Sequence, residues 1–288
     1  MEENKRKAAS LPRRAWRRLK RLLADPRGEQ RNFRYYRKLV KLVPELGSYN
    51  WTGAMDHLAK RAQELGCGDL GAYYRLLRDD EQELTRLQSN FTLKGSHFFR
   101  GDDWDFFGER CLPELKDREK LRVWCAGCSS GQEAWSLIMA LLDHVPLERI
   151  EVLATDYNDE LLDKCRAGAY FNMHLHEVPE RYRRYIDYGP KRFTIKPELR
   201  SVVRVENLNL LTDPYPAGFD VILCRNVLKF FSAEVIARLQ KRLAASLTPG
   251  GYLFLSEDDG HRSAERIEKP AQLGLEEIDG RCIYRRLT

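Results

Sequence analysis

LRVWCAGCSSGQEAWSLIMALL, residues 121–142, changes its periodicity at the centre. LRVWCAG is a short apolar run of strand length, and QEAWSLIMALL carries apolar positions at helical spacing. Between them Ala126-Gly127-Cys128-Ser129-Ser130-Gly131 is a tight turn rich in small residues. Strand, glycine turn and helix together open an α/β domain. The same alternation continues downstream as IEVLATD and DELLDKCRAG, FDVILCRN and SAEVIARLQKRLAASL, then PGGYLFLSE. It predicts a doubly wound, mostly parallel sheet flanked by helices.

The stretch from Ala169 to Asn209 breaks the alternation. RRYIDYGPKRFTIKPELRSVVRVENL places short Tyr-, Phe- and Val-rich segments around a Gly189-Pro190 turn, which predicts a small antiparallel β-subdomain inserted at about 170–206. Upstream, apolar positions recur at three and four in YYRKLVKLV, MDHLAKRAQEL, LGAYYRLL and EQELTRLQSNF, interrupted by Pro44, Gly53 and the turn near Gly66. The expected organisation is a basic arm over 1–32, an all-helical domain over 33–105 and the α/β domain over 106–288.

Charge separates the parts. The chain of 288 residues has a net charge of +6, but residues 1–40 hold fourteen Lys or Arg against four Asp or Glu, so the remainder is slightly acidic. In the arm, Leu11, Trp16, Leu19, Leu22 and Leu23 interleave with Arg13, Arg14, Arg17, Arg18, Lys20 and Arg21. Two readings stay open: an amphipathic basic helix for an anionic partner, or a solvated tail. No run approaches the roughly 20 apolar residues of a membrane span, and charges near the N-terminus replace the apolar stretch of a signal peptide, so a cytoplasmic protein is expected. Seven scattered cysteines point to reduced thiols. Cys125 and Cys128 form a lone C-x-x-C, open to a structural or a redox reading, and without a second pair for a zinc site. His174 and His176 lack a carboxylate at ligand spacing, and no metal is expected.

Ligands of open α/β sheets bind at the carboxyl ends of the strands. The turn at 126–131 permits close backbone approach, and Asp156 ends the next strand, 25 residues beyond Gly131. An acid there either accepts bonds from the ribose hydroxyls of an adenosine cofactor or caps the helix that follows. The third loop, Cys224-Arg225-Asn226, offers polar groups to the same place. No phosphate-binding lysine loop is present, which argues against a nucleoside triphosphate.

These segments carry a resemblance. RVWCAGCSSGQEAWSL, VLATDYNDELLDKCRAGAY, NLNLL, FDVILCRNVLKFF and TPGGYLFLSE follow the order and spacing of the CheR-type chemoreceptor glutamate methyltransferases, and FTLKGSHFFR occupies the place of that family's N-E-T-x-F-F-R segment. The resemblance spans roughly residues 33–288. It implies S-adenosylmethionine as cofactor, S-adenosylhomocysteine as product, and a receptor glutamate as methyl acceptor. By position it implies cofactor contacts from Lys94, Ser96, Arg100, Gly127, Glu133, Asp156, Asn209, Leu210, Arg225 and Asn226. Arg100 is the candidate for orienting the acceptor carboxylate.

Two positions depart from the family. Its Asn-Glu-Thr is Lys94-Gly95-Ser96, and the tyrosine lying near its transferred methyl group is Phe230. A second reading follows, a weakened or inactive S-adenosylmethionine-binding module, or a methyltransferase with another acceptor. The short turn Asp187-Tyr188-Gly189-Pro190 resembles family members that dock without the receptor's C-terminal pentapeptide, which leaves recognition of acidic methylation helices to the helical domain and the arm. Asp213-Pro214-Tyr215-Pro216 precedes FDVILC, so it is a turn and not the base-methylase loop that follows the fourth strand, and nucleic acid is not an expected partner.

Overall fold

The computed structural model describes residues 26–43, 46, 51–89, 96–101, 103–256 and 265–287. The chain divides into two compact units between Phe91 and Thr92, so Ser96–Arg100 counts with the second.

The first unit has four helices among its described residues, α1 (Pro26–Leu42), α2 (Trp51–Glu64), α3 (Leu70–Asp79) and α4 (Glu81–Ser89), and α1 begins seven residues before Phe33, within the stretch read as the basic arm. Gly53 does not interrupt the pattern; it lies in the first turn of α2, where a glycine costs little helix. Asp69 starts α3 by accepting the Ala72 N–H at 2.8 Å. The apolar stripes enclose Leu39, Leu58, Tyr73, Leu77 and Leu87. A buried acid crosses this core: Glu83 takes Arg61 Nε at 2.8 Å and Nη2 at 2.5 Å, and the Tyr73 hydroxyl at 3.1 Å. The Arg61 bonds outweigh burial and hold the Glu83 carboxyl below the usual range.

In the second unit, α5 (Asp103–Phe106), a π turn (Phe107–Cys111) and α6 (Leu112–Leu115) lead into the sheet. Its strands are β1 (Leu121–Ala126), β2 (Ile150–Asp156), β6 (Val203–Asn207), β7 (Phe219–Leu223), β8 (Leu247–Phe254), β9 (Leu275–Glu277) and β10 (Ile283–Arg286). Their order is β6-β2-β1-β7-β8-β10-β9; the first five run parallel, and β10 and β9 are antiparallel additions that the sequence pattern did not show. β7 is buried at every position and β1 at all but Arg122, as strands covered on both faces must be. The covering helices are α7 (Gln132–Leu141), α8 (Asp159–Ala167) and α10 (Ala233–Ser246). α7 buries everything but Glu133, including Trp135, against the sheet.

The insertion forms the expected antiparallel sheet, β3 (Ala169–Phe171), β5 (Arg192–Ile195) and β4 (Ile186–Tyr188) in that order, with 3-10 turns at Asn172–Glu177 and Glu180–Tyr185. It ends sooner than the sequence suggests. After a one-turn α9 (Pro197–Arg200), Val203–Asn207 leaves the insertion and pairs in parallel with β2 at the edge of the main sheet. Chain order reverses between β1 and β7, so their carboxyl ends form the crevice where this fold binds ligands. No helix among the described residues is long and apolar enough to cross a membrane.

Candidate active site

Backbone strain marks the crevice. Among the described residues four non-glycines have left-handed φ: Phe99 (+44°), Ser129 (+52°), Asn226 (+58°) and Asp279 (+51°). The first three stand in segments that converge at the switch point, which is where folds store such strain for function.

The turn after β1 is anchored by the N–H groups of Gly127 and Cys128, both bonded to the Thr155 carbonyl at 2.8 Å. Gly127 has φ +80°, and a Cβ there would meet Val227 Cγ2 at 2.6 Å, so this glycine lets the loops after β1 and β7 close on each other. Gly131 caps α7 at φ +90°, and a Cβ on it would run into Cys165 Sγ. Ser129 Oγ is buried and has no hydrogen-bond partner among the described residues.

Asp156 does not cap α8. Asn158 does so, its side chain accepting the Leu161 N–H at 3.2 Å. Asp156 instead turns its carboxylate toward the glycine turn, taking the Ser129 N–H at 2.8 Å and the Asn158 N–H at 3.0 Å, with acceptor capacity left. Burial raises its carboxyl above the usual range despite these bonds.

Opposite, Arg100 Nη1 donates to Asn226 Oδ1 at 2.6 Å. Arg225 Nη1 donates to Glu133 Oε1 at 2.5 Å, and its Nη2 to the Arg100 carbonyl at 3.1 Å. Ser96 Oγ accepts the Glu133 N–H at 3.3 Å. Five of the sequence candidates, Ser96, Arg100, Glu133, Arg225 and Asn226, thus form one bonded network, with Gly127 on the turn after β1 and Asp156, at the end of β2, bonded to that turn through the Ser129 N–H. Asn209 and Leu210 follow Leu208, whose N–H bonds the Asp156 carbonyl at 3.1 Å. Neither joins that network: Asn209 Oδ1 takes the Leu211 N–H at 2.9 Å, and the Leu210 carbonyl takes the Tyr215 hydroxyl and Arg242 Nη1, both at 2.8 Å. Lys94 and the side chain of Phe230 lie outside the described residues.

The structure adds residues that the sequence reading passed over. Ser136 Oγ accepts the Phe99 N–H at 2.9 Å, and Trp104 Nε1 donates to the Arg100 carbonyl at 3.1 Å. Ser256 Oγ takes the Asn226 N–H at 2.5 Å; the Ser256 N–H bonds Glu265 Oε2 at 2.8 Å, and Glu265 is itself fully buried. No motif announces these, because each is a common residue type whose role comes from distant chain segments. The C-x-x-C is structural. Burial holds the Cys125 thiol well above its usual range, and a bond to Cys165 together with burial does so for Cys128, which suppresses thiolate chemistry. Among the described residues no group of three His, Cys, Asp or Glu is placed to hold a metal.

Residues 94–272 match the family model described as the S-adenosylmethionine-binding domain of CheR methyltransferase. The chain belongs to this family. A chemotaxis protein methyltransferase of Listeria innocua is 33% identical over 85% of this chain and 94% of its own length. Chemotaxis protein methyltransferase 1 of Pseudomonas aeruginosa is 34% identical over 74% of this chain and 84% of its own. The CheR fold seen here is accordingly that of a methyltransferase that uses S-adenosylmethionine.

Proposed function

We propose that this protein methylates side-chain carboxylates of glutamates on a chemoreceptor-like protein in the cytoplasm, docking without the receptor's C-terminal pentapeptide. The observation that carries the reading is the Arg100–Asn226 bond at the switch point, which fixes a half-buried guanidinium where an anionic acceptor would be oriented. A glutamate is ionised at neutral pH, so the reaction needs no general base. It needs alignment and exclusion of water.

In this reading Asp156 accepts from the ribose hydroxyls, and its buried position between two loops fits that task. The orphaned Ser129 Oγ and the space kept open at Gly127 and Gly131 fit the amino-acid end of the cofactor, with Ser96 and, by the resemblance, Lys94 as further contacts. Asn209 and Leu210 flank the adenine. Glu133 and Arg225 neutralise each other and hold the Arg100 carbonyl, so that Arg100 is left to orient the acceptor oxygen. When bound, S-adenosylmethionine supplies an activated methyl group. The ring of Phe99, stacked on Tyr182 at 4.6 Å and edge-on to Trp104 at 5.5 Å, walls the segment carrying Arg100. Phe230 in place of a tyrosine removes one hydroxyl, a loss on the order of 1–3 kcal/mol that slows the reaction without abolishing it.

The pentapeptide-independent reading is supported by the link between β4 and β5. Only Gly189, Pro190 and Lys191 separate the strands, and Asn172 ties the link down through the Gly189 carbonyl at 3.0 Å and the Lys191 carbonyl at 3.1 Å. Acidic methylation helices would then meet the helical unit and the basic arm, whose charge is complementary.

The test is incubation with labelled S-adenosylmethionine and membranes bearing chemoreceptors, with and without the terminal pentapeptide. Base-labile methyl ester on both receptor forms is the expected result. Calorimetric binding of S-adenosylhomocysteine with no ester on either form would replace this reading with a cofactor-binding module or another acceptor.

A further inference from the structure

Glu177 closes the 3-10 turn Asn172–Glu177 of the insertion, yet its carboxylate is spent on a segment some 80 residues earlier. Oε2 accepts the Phe98 N–H at 2.9 Å, and Oε1 accepts Nδ1 of His174 at 2.9 Å and Nδ1 of His97 at 3.3 Å. An ionised carboxylate only accepts, so both imidazoles present a protonated Nδ1 to it. Burial would raise this carboxyl, but the bonds from His174, Phe98 and His97 outweigh burial and keep it below the usual glutamate range.

Phe98, Phe99 and Arg100 form a single turn. α7 holds it from one side, through Ser136 Oγ on the Phe99 N–H. The insertion holds it from the other: Phe98 packs edge-on to Tyr170 at 5.0 Å and lies 5.7 Å from Phe193, and Phe99 stacks on Tyr182 with the rings 5° apart. The bond from the Phe98 N–H to Glu177 is directional and charge-assisted, and it lies two residues from Arg100. Phe99 between them is held in left-handed backbone at φ +44°, a conformation a non-glycine residue keeps only when its neighbours hold it there.

We propose that Glu177 is a positioning residue for methyl transfer: by holding the Phe98 N–H it sets the direction from which Arg100 reaches Asn226, so that the insertion takes part in the reaction and not only in the architecture. This rests on the reading of Arg100 as the group that orients the acceptor.

The test compares full-length E177A, E177D, E177Q, R100K and the double variant E177A/R100K, measuring the maximal methylation rate, KM for S-adenosylmethionine, calorimetric affinity for S-adenosylhomocysteine and thermal midpoint. E177A is expected to lower kcat about tenfold, the worth of one charge-assisted bond, with a smaller change in KM. E177Q keeps an acceptor oxygen for the Phe98 N–H and recovers most of the rate. E177D keeps the charge but draws it back by one methylene, so it stays low; this variant serves if E177A does not fold. In the R100K background E177A should change the rate less than twofold, whereas damage unrelated to Arg100 would multiply in full. Wild-type kcat in E177A or E177D, or full multiplication in the double variant, would overturn the proposal. An R100K protein with wild-type rate and affinity would instead remove the reading of Arg100, and that result is visible without any change at Glu177.

Discussion

The two ends of the same parallel sheet are built on opposite rules. At the amino ends of β1 and β7 both oxygens of the buried Asp220 are bonded: Oδ1 takes Arg118 Nη1 at 2.7 Å and the Thr248 hydroxyl at 2.8 Å, and Oδ2 takes the Arg122 N–H at 2.9 Å. At the carboxyl ends Ser129 Oγ is buried without a partner among the described residues, burial raises the Asp156 carboxyl above its usual range despite its bonds, and three non-glycines sit in left-handed backbone. One end gains stability from its polar groups. The other spends stability to keep polar groups ready for a ligand.

The contrast can be broken or sharpened by four measurements. D220A should have the largest effect, lowering the unfolding free energy by about 3 kcal/mol because Arg118 and the Arg122 N–H lose a buried acceptor. Its affinity for S-adenosylhomocysteine should stay within about twofold of wild type while the protein is folded. Chemical denaturation and calorimetry on the same sample decide this, and parallel losses would break the contrast.

D156N should do the reverse. Affinity should fall about 100-fold, the equivalent of two bonds to a charged acceptor, while the thermal midpoint at pH 7 holds or rises. The sign follows from the direction of the shift: a carboxyl raised in the folded state favours folding when protonated, and that benefit is lost as pH rises through its folded value. Wild-type affinity should accordingly fall on acidification from a pH above the ordinary aspartate range of about 3.9. A pH-independent affinity in that window would count against Asp156 as a cofactor contact.

G127A should move both quantities, because the added Cβ meets Val227 and the φ of +80° becomes strained. A loss of roughly 1–3 kcal/mol in stability is expected, accompanied by weaker cofactor binding. S129A should show the smallest effect. Removing an oxygen that is already unpaired costs the ligand-free protein nothing or stabilises it slightly, whereas cofactor affinity drops about fivefold. Unchanged affinity in S129A would mean that Ser129 serves the turn and not the ligand.

How much of this the sequence discloses depends on the range of the forces involved. Strands such as FDVIL and helices such as QEAWSLIMAL are legible because periodicity is local, and the insertion is legible because Gly189-Pro190 punctuates it. Val203–Asn207 reads as part of the insertion because nothing within a strand names its partner; pairing with β2 is decided by the sheet. β9 and β10 are three and four residues long, too short for a pattern. At the site, the glycine turn and Asp156 are legible from spacing, but that Asn158 and not Asp156 caps the helix is visible only in the structure. Glu177, Ser136 and Ser256 are silent in sequence, since each acts on a backbone N–H tens of residues away.

The Arg100–Asn226 bond joins residues 126 positions apart, and those of Arg225 to the Arg100 carbonyl and to Glu133 span 125 and 92. Closing loops of that length costs chain entropy that a few polar bonds do not recover, so β1 and β7 must already be paired before the network can form. The network thus depends on long-range pairing that the glycine turn alone does not supply. A nascent or partly unfolded chain has the glycine turn but no bridge across it, and cofactor capture reports that the sheet is whole.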